Sequence, residues 1–218
     1  SRIFGTAGYL AAAADAGTYT GGNLTLGGLY SSQFGYDLTL ASGSLVISPA
    51  TLWVTANAVS MTYGDGAPTL GYSHGGLVGG DDASVFTGAL SSGATSTSNV
   101  GTYGITQGSL SAGGNYQIAF TGADVTVNRR AVTVQAHDKQ RDFNTANPAL
   151  TYAIVSGSLV NGDQMSGSLS TMANANSPAG MYAIDQGSLA LSANYDLTYL
   201  GGILTVLGGP DVPTPLAQ

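Results

Sequence analysis

The clearest alternation of apolar and polar residues is ATLWVTA, Ala50 to Ala56, in which Leu52, Val54 and Ala56 interleave with Thr51, Trp53 and Thr55. A spacing of two places successive side chains on opposite faces of an extended chain, so the segment predicts a half-buried strand. DVTV and AVTVQA, further along, follow the same rule. Asn-Gly, Gly-Gly, Gly-Asp and Asn-Pro pairs punctuate these runs. Glycine supplies positive φ, proline presets φ, and Asn or Asp bonds its own backbone, so each pair marks a turn. No window shows a capped period of 3.6 residues; the short alanine run Ala11–Ala14 is the one ambiguous place. The pattern predicts an all-β chain.

The pattern also recurs. GTYGITQGSLSAGGNYQIAF (Gly101 to Phe120) returns as GMYAIDQGSLALSANYDLTY (Gly180 to Tyr199), with nine of twenty positions identical and no gap. Upstream, Tyr63, Pro68, Leu70 and Tyr72 align with Phe143, Pro148, Leu150 and Tyr152, and Leu77, Gly80 and Asp81 with Leu159, Gly162 and Asp163. A third, incomplete copy comes first. There Gly17-Thr18-Tyr19 matches Gly101-Thr102-Tyr103, and GYDLTL (Gly35 to Leu40) matches NYDLTY. A fixed period of this kind marks tandem architecture. The expected organisation is a partial diverged module over 1–49, complete modules over 50–129 and 130–208, and a Pro-rich tail or linker over 209–218.

A module of about eighty residues is long enough to bury its own core. Only Asn128, Arg129 and Arg130 separate Val127 from Ala131, and only Ser48 and Pro49 separate Ile47 from Ala50. Connections this short leave little room for independent tumbling. The expected fold is therefore a series of small β-sheet modules, each sandwich or β-grasp-like, joined end to end into an elongated, monomeric rod. In each complete copy, Tyr103, Ile105, Leu110, Tyr116 and Ile118, or their counterparts Tyr182, Ile184, Leu189, Tyr195 and Leu197, are expected to build the closing strands of the core.

Composition agrees with the strand pattern and narrows the function. All twelve acidic residues are Asp, which favours turns, and Glu, a helix former, is absent. With 43% hydrophobic and only 8% charged residues, the chain has the apolar content to fold. Its net charge of −7 disfavours nucleic-acid binding, which needs a basic footprint on phosphate. Four of the five basic residues lie between Arg129 and Arg141, but Asp138 and Asp142 interleave with them, so a solvated junction is expected there. Absence of cysteine removes disulfides, thiol catalysis and Cys-ligated metals. No leader pattern opens the chain at Ser1, and a piece of something longer is expected. The strands are too short and turn-rich for barrel spans of about 9–11 residues, and no run approaches a spanning helix, so membrane insertion is not expected.

Candidate chemistry is sparse. Gly71-Tyr72-Ser73-His74-Gly75 spells the G-x-S-x-G nucleophile elbow, yet that motif requires a strand-to-helix turn and acid and histidine partners, and GLVGGDD follows it. In the second copy the serine position is Ala153. His74 and His137, the two histidines, fall at non-equivalent module positions, which suits structural roles better than a metal pair. No catalysis and no cofactor are expected. Asp65, Asp81, Asp82 and Asp163 sit in glycine turns, where carboxylates could meet calcium. None offers dense oxygen-ligand spacing, and an aspartate bonding its own turn is the plainer reading, so no metal site is assigned.

Trp53 stands apart. Alternation places it opposite Leu52 and Val54, and the matching position in the next copy is Thr133. An outward tryptophan either covers the joint with the preceding module, favoured here by the adjoining Ser48-Pro49, or offers a stacking surface to a sugar. Tyr9, Tyr30 and Tyr199 lie outside the clearest core pattern, and Asn23-Leu24-Thr25 forms a glycosylation sequon.

The ordered series YGDGAPTL, GLVGGDD, GTYGITQGSL, NYQIAF and TVNRR resembles the MBG repeats of large bacterial surface and secreted adhesins. PALTY, SLVNGD, GMYAIDQGSL and NYDLTY in the next copy fit equally, so the resemblance spans roughly residues 51–208. It implies a stretch of stalk in an extracellular exoprotein of filamentous-haemagglutinin type. Such a stalk presents a distal region for attachment or biofilm cohesion, with the rest of the parent chain as its partner. The alternative is a ligand-binding module that recognises a glycan or a host or matrix protein. The second copy departs from the pattern where Phe143-Asn144-Thr145 replaces the Tyr-Gly-Asp turn.

Overall fold

The computed structural model describes residues 3–4, 8–9, 15–20, 24–25, 30–31 and 44–208. Ala11–Ala14, Asn23, the segment Gly35 to Leu40 and the tail from Gly209 lie outside the described residues. Three short antiparallel pairs open the chain. β1 (Ile3–Phe4) pairs with β5 (Tyr30–Ser31), β2 (Gly8–Tyr9) with β4 (Leu24–Thr25), and β3 (Gly17–Thr20) with β6 (Ser44–Ile47).

The alternation in ATLWVTA becomes β7 (Ala50–Ala56), with Leu52 and Val54 wholly buried. The next strands are β8 (Val59–Thr62), β9 (Tyr72–Gly75), β10 (Ser91–Ser92), β11 (Gly101–Thr106), β12 (Tyr116–Thr121) and β13 (Ala123–Asn128). The last copy supplies β14 (Arg130–Ala136), β15 (Lys139–Asp142), β16 (Tyr152–Ser156), β17 (Ser170–Thr171), β18 (Gly180–Asp185), β19 (Tyr195–Leu200) and β20 (Gly202–Leu207). Among the described residues the one helical element is a three-residue 3-10 turn, Ala83–Val85. The chain is all-β, as the alternation predicts.

The chain divides into two compact units. Ser1–Ala58, Thr69–Ser92 and Gly104–Asp124 form one; Val59–Pro68, Gly93–Tyr103 and Val125–Gln218 form the other. Val59–Pro68, which carries β8 and the Tyr63-Gly64-Asp65 turn, belongs with the following copy.

In the first unit, β7 lies between β12 and β9, parallel to the former and antiparallel to the latter. Leu52, Ala112 and Tyr116 form its core, with Ala50, Leu77, Val85, Phe86 and Ile118 packed around them. Fully burying one aliphatic side chain such as Leu52 contributes about 1.5–3 kcal/mol.

The second unit holds a three-stranded sheet, β16-β14-β19, and a four-stranded sheet, β15-β20-β18-β17. The β14 register repeats that of β7: Arg130 to Gln135 run parallel to Tyr195 to Leu200, as Ala50 to Thr55 run parallel to Tyr116 to Thr121. Val132, Val134, Ile184, Leu189, Leu204 and Val206 are 2% exposed or less and form its centre. In the same unit, β8 runs parallel to β13, from Val59 opposite Val125 to Thr62 opposite Asn128. That pairing delivers the turn after β8 to its neighbours.

Candidate functional site

The aspartates placed in glycine turns are each engaged by the chain itself. The Tyr116 hydroxyl donates to Asp81 Oδ2 at 2.7 Å and accepts from the Val78 N–H at 3.1 Å. The second copy repeats this clasp: Tyr195 donates to Asp163 Oδ2 at 2.8 Å and accepts from the Val160 N–H at 3.0 Å. The bond to Asp81 raises the Tyr116 hydroxyl pKa, because a nearby carboxylate disfavours phenolate. For Tyr195, burial is the larger cause of a rise in the same direction, with Asp163 adding to it. Asp82 caps the Ala83–Val85 turn by accepting from the Ser84 N–H at 2.8 Å, and bonds from Ser84 hold its carboxyl below the usual range. Asp65 is ion-paired with Arg130. Among the described residues no three His or Asp side chains converge as a metal site would require.

Ser73 lies exposed within β9, a strand, and not at a strand-to-helix elbow. His74 packs its ring 4.9 Å from that of Phe86, and His137 shares a 3.0 Å hydrogen bond with Thr151. Each histidine has a local partner.

The most developed arrangement surrounds Tyr63-Gly64-Asp65 in the second unit. Tyr63 is 5% exposed, and its hydroxyl donates to the same Asp163 Oδ2 that holds Tyr195, at 3.0 Å. The two tyrosine rings meet edge to face, with centroids 5.5 Å apart at 80°, a geometry their quadrupoles favour. Gly64 takes φ +87°, and a β-carbon there would stand 2.4 Å from Val160 Cγ2. Only glycine lets the turn lie against the next copy. Arg130 closes the far side, its guanidinium on the Asp65 carboxylate and its Nε donating to the Tyr63 carbonyl at 2.6 Å. Tyr63, Gly64 and Asp65 therefore each meet a residue of the following copy.

A second device accompanies it. Asn194 accepts from the Val100 N–H at 3.0 Å and donates to the Asn99 side chain at 2.8 Å. In the first unit its counterpart Asn115 accepts from the Ala16 N–H at 2.7 Å and donates to the Asp15 carboxylate at 2.7 Å. One asparagine amide thus ties a copy to the copy before it, at two successive joints. The gripped segment is itself braced by a tyrosine four residues on: Tyr19 donates to the Asp15 carbonyl at 2.7 Å and Tyr103 to the Asn99 carbonyl at 2.8 Å.

The second copy's counterpart turn, Phe143-Asn144-Thr145, keeps the backbone and loses the chemistry. Asn144 holds φ +59°, and the Phe143 N–H donates to Leu207 as the Tyr63 N–H does to Asn128. Phe143 is 45% exposed and has no hydroxyl to offer a carboxylate.

Alternation predicts Trp53 outward, and the residue is 61% exposed, with the Cε3–Cζ3 edge of its ring over Gly76. Among the described residues, Asn115 bonds to Asp15 and Ala16 of the preceding copy. The basic cluster departs from the solvated junction expected of it. Arg130 binds the turn, and Arg141 is 6% exposed, held by the Asn147 side chain and the Asp142 and Asn174 carbonyls. Asn115, Asn194 and Arg130 escape a search for catalytic or metal-binding types. Their signal is positional: both asparagines precede the tyrosine of the recurring Asn-Tyr pair.

A family model for the MBG domain of YGX type matches residues 52–126 and again 132–205, together well over half of the chain. No curated protein and no solved structure matches it. With the Tyr63-Gly64-Asp65 turn at the joint and two matched copies in tandem, the chain belongs to the MBG domain family of YGX type.

Proposed function

We propose that this chain is a length of stalk in an extracellular bacterial adhesin, holding a distal binding region away from the cell for attachment or biofilm cohesion. The observation that carries the proposal is the joint at Tyr63. A linker that only tethered two domains would need no buried tyrosine, no glycine seated against Val160 and no ion pair at Asp65. A spacer that must hold an extended geometry does need such fixed joints, because flexible linkers collapse to a distance growing only as the square root of their length. In this reading the fragment is a monomeric, elongated rod at the cell surface, joined to the rest of its parent chain and catalysing nothing.

Length, and not sequence, is what a stalk supplies. Deleting these modules from the parent protein should weaken attachment, and an unrelated rigid spacer of equal length should restore it. Attachment that the foreign spacer fails to restore would overturn the proposal and make the modules recognition elements in their own right. Scattering from the isolated fragment should report an extended particle; a compact profile would count equally against it.

A further inference from the structure

We infer that the outer face of the β12-β7-β9 sheet is a carbohydrate-binding platform, with the Trp53 indole stacking on the apolar face of a neutral pyranose. The inference goes beyond the stalk reading and does not depend on it.

Trp53 occupies the middle of the middle strand, paired with Ala119 on one side and Gly75 on the other. Both neighbours are small, so nothing beside the ring stands as high as it does. Its benzo edge lies over Gly76, where a β-carbon would come within 3.0 Å of Cε3. The ring is thereby seated against the backbone, so a ligand would have less rotor freedom to freeze.

Around this apolar plate the register places hydrogen-bonding groups without charge. Thr51 stands opposite Gln117, and Thr55 opposite Thr121, one pair on each side of Trp53 along the strands. All four are exposed. Same-face positions along a strand lie about 6.6 Å apart and adjacent strands about 4.8 Å apart. Hydroxyls and an amide thus ring the indole at a distance that suits the equatorial hydroxyls of a six-membered sugar. An aromatic plate bordered by a few placed polar groups is the chemistry of a shallow ligand site. No ionisable side chain stands among these positions, which selects against charged ligands.

The fold does not account for the tryptophan. In the second copy the same strand position is Thr133, opposite Thr198, and β14 pairs with β19 over the same length as β7 with β12. The equivalent glycine, Gly157, is required by the backbone alone, since a β-carbon there would meet the Ala131 carbonyl at 2.3 Å. Trp53 is an addition to a framework that closes without it.

The chain has a single tryptophan, so indole fluorescence reports this position alone. The 218-residue chain would be titrated with methyl pyranosides of glucose, galactose, mannose and N-acetylglucosamine, with glucuronate and N-acetylneuraminate as charged controls. At least one neutral pyranoside should change the fluorescence saturably in the millimolar range. Saturation-transfer NMR should show magnetisation reaching its ring protons. Trp53→Thr, which copies Thr133, should abolish the transfer while circular dichroism stays unchanged; Trp53→Phe should weaken binding several-fold. A flat response to every neutral sugar, transfer that persists in Trp53→Thr, or a preference for the charged sugars would each overturn the inference.

Discussion

The hydroxyl of Tyr63 and the carboxylate of Asp163 meet at 3.0 Å, and these two residues belong to successive copies of one repeat. Asp163 already accepts from Tyr195 in its own copy at 2.8 Å. A carboxylate has lone pairs for both, so the bond that closes a copy internally also receives the copy before it.

Tyr63→Phe should weaken the second unit by about 0.5–1.5 kcal/mol, the usual net worth of one hydrogen bond, since the ring still packs and Asp163 keeps Tyr195. Tyr195→Ala should cost about 3–5 kcal/mol, because a large aromatic leaves a cavity. Urea unfolding would measure both, and hydrogen exchange at Val59–Thr62 should rise with each. Protection there that ignored both substitutions would mean that the joint is not coupled to the second copy's core.

Gly64→Ala carries two penalties, a left-handed φ and a methyl driven into Val160. It should cost at least the 1–3 kcal/mol or so of a strained backbone position. Adding Val160→Ala should recover only the steric share. Asn144→Gly in the counterpart turn should be neutral or slightly stabilising, because glycine adopts φ +59° without strain. Melting temperatures of the three variants test the separation.

Among the described residues Arg141 is buried without a carboxylate partner, and the aligned residue in the first copy is Met61, itself 7% exposed. Arg141→Met should destabilise less than Arg141→Ala, since both remove the donor to Asn147 and two carbonyls but an apolar side chain of similar length fills the site and avoids the cost of burying a charge. Arg141→Ala should be destabilising, leaving the Asn147 amide oxygen and two carbonyls short of a donor. If Arg141→Met destabilised as much as Arg141→Ala, the guanidinium's bonds would outweigh its desolvation.

The phenols set the alkaline limit. Burial raises the Tyr195 and Tyr199 pKa values above the ordinary 10.0, and Asp163 and Asp185 add to the respective shifts. The folded state then holds its protons more tightly than the unfolded state. Their contribution is complete below about pH 10 and declines as pH rises through the higher folded-state values. Urea midpoints followed upward from neutral pH should fall in that window, and Tyr195→Phe should flatten part of the fall. A midpoint independent of alkaline pH would contradict the shifts.

Strands and copies were legible because they are local or periodic. Alternation in ATLWVTA and AVTVQA names Leu52, Val54, Val132 and Val134 as buried, and alignment of the copies names Tyr116 and Tyr195 as equivalents. The aspartate roles were half legible. Glycine-rich surroundings place Asp81 and Asp163 in turns, but the tyrosines that hold them lie 35 and 32 residues away. No short-range pattern carries a pairing of that reach.

By itself the sequence determined that the chain is all-β, that it repeats, and that Trp53 points away from the core. These follow from a period of two, from turn residues and from self-similarity. Only the tertiary structure decided that Tyr63-Gly64-Asp65 docks on the following copy, that Arg141 is buried, and that one asparagine ties each joint. Those depend on which surfaces meet in three dimensions, and a glycine against Val160 reads in sequence like any other turn glycine.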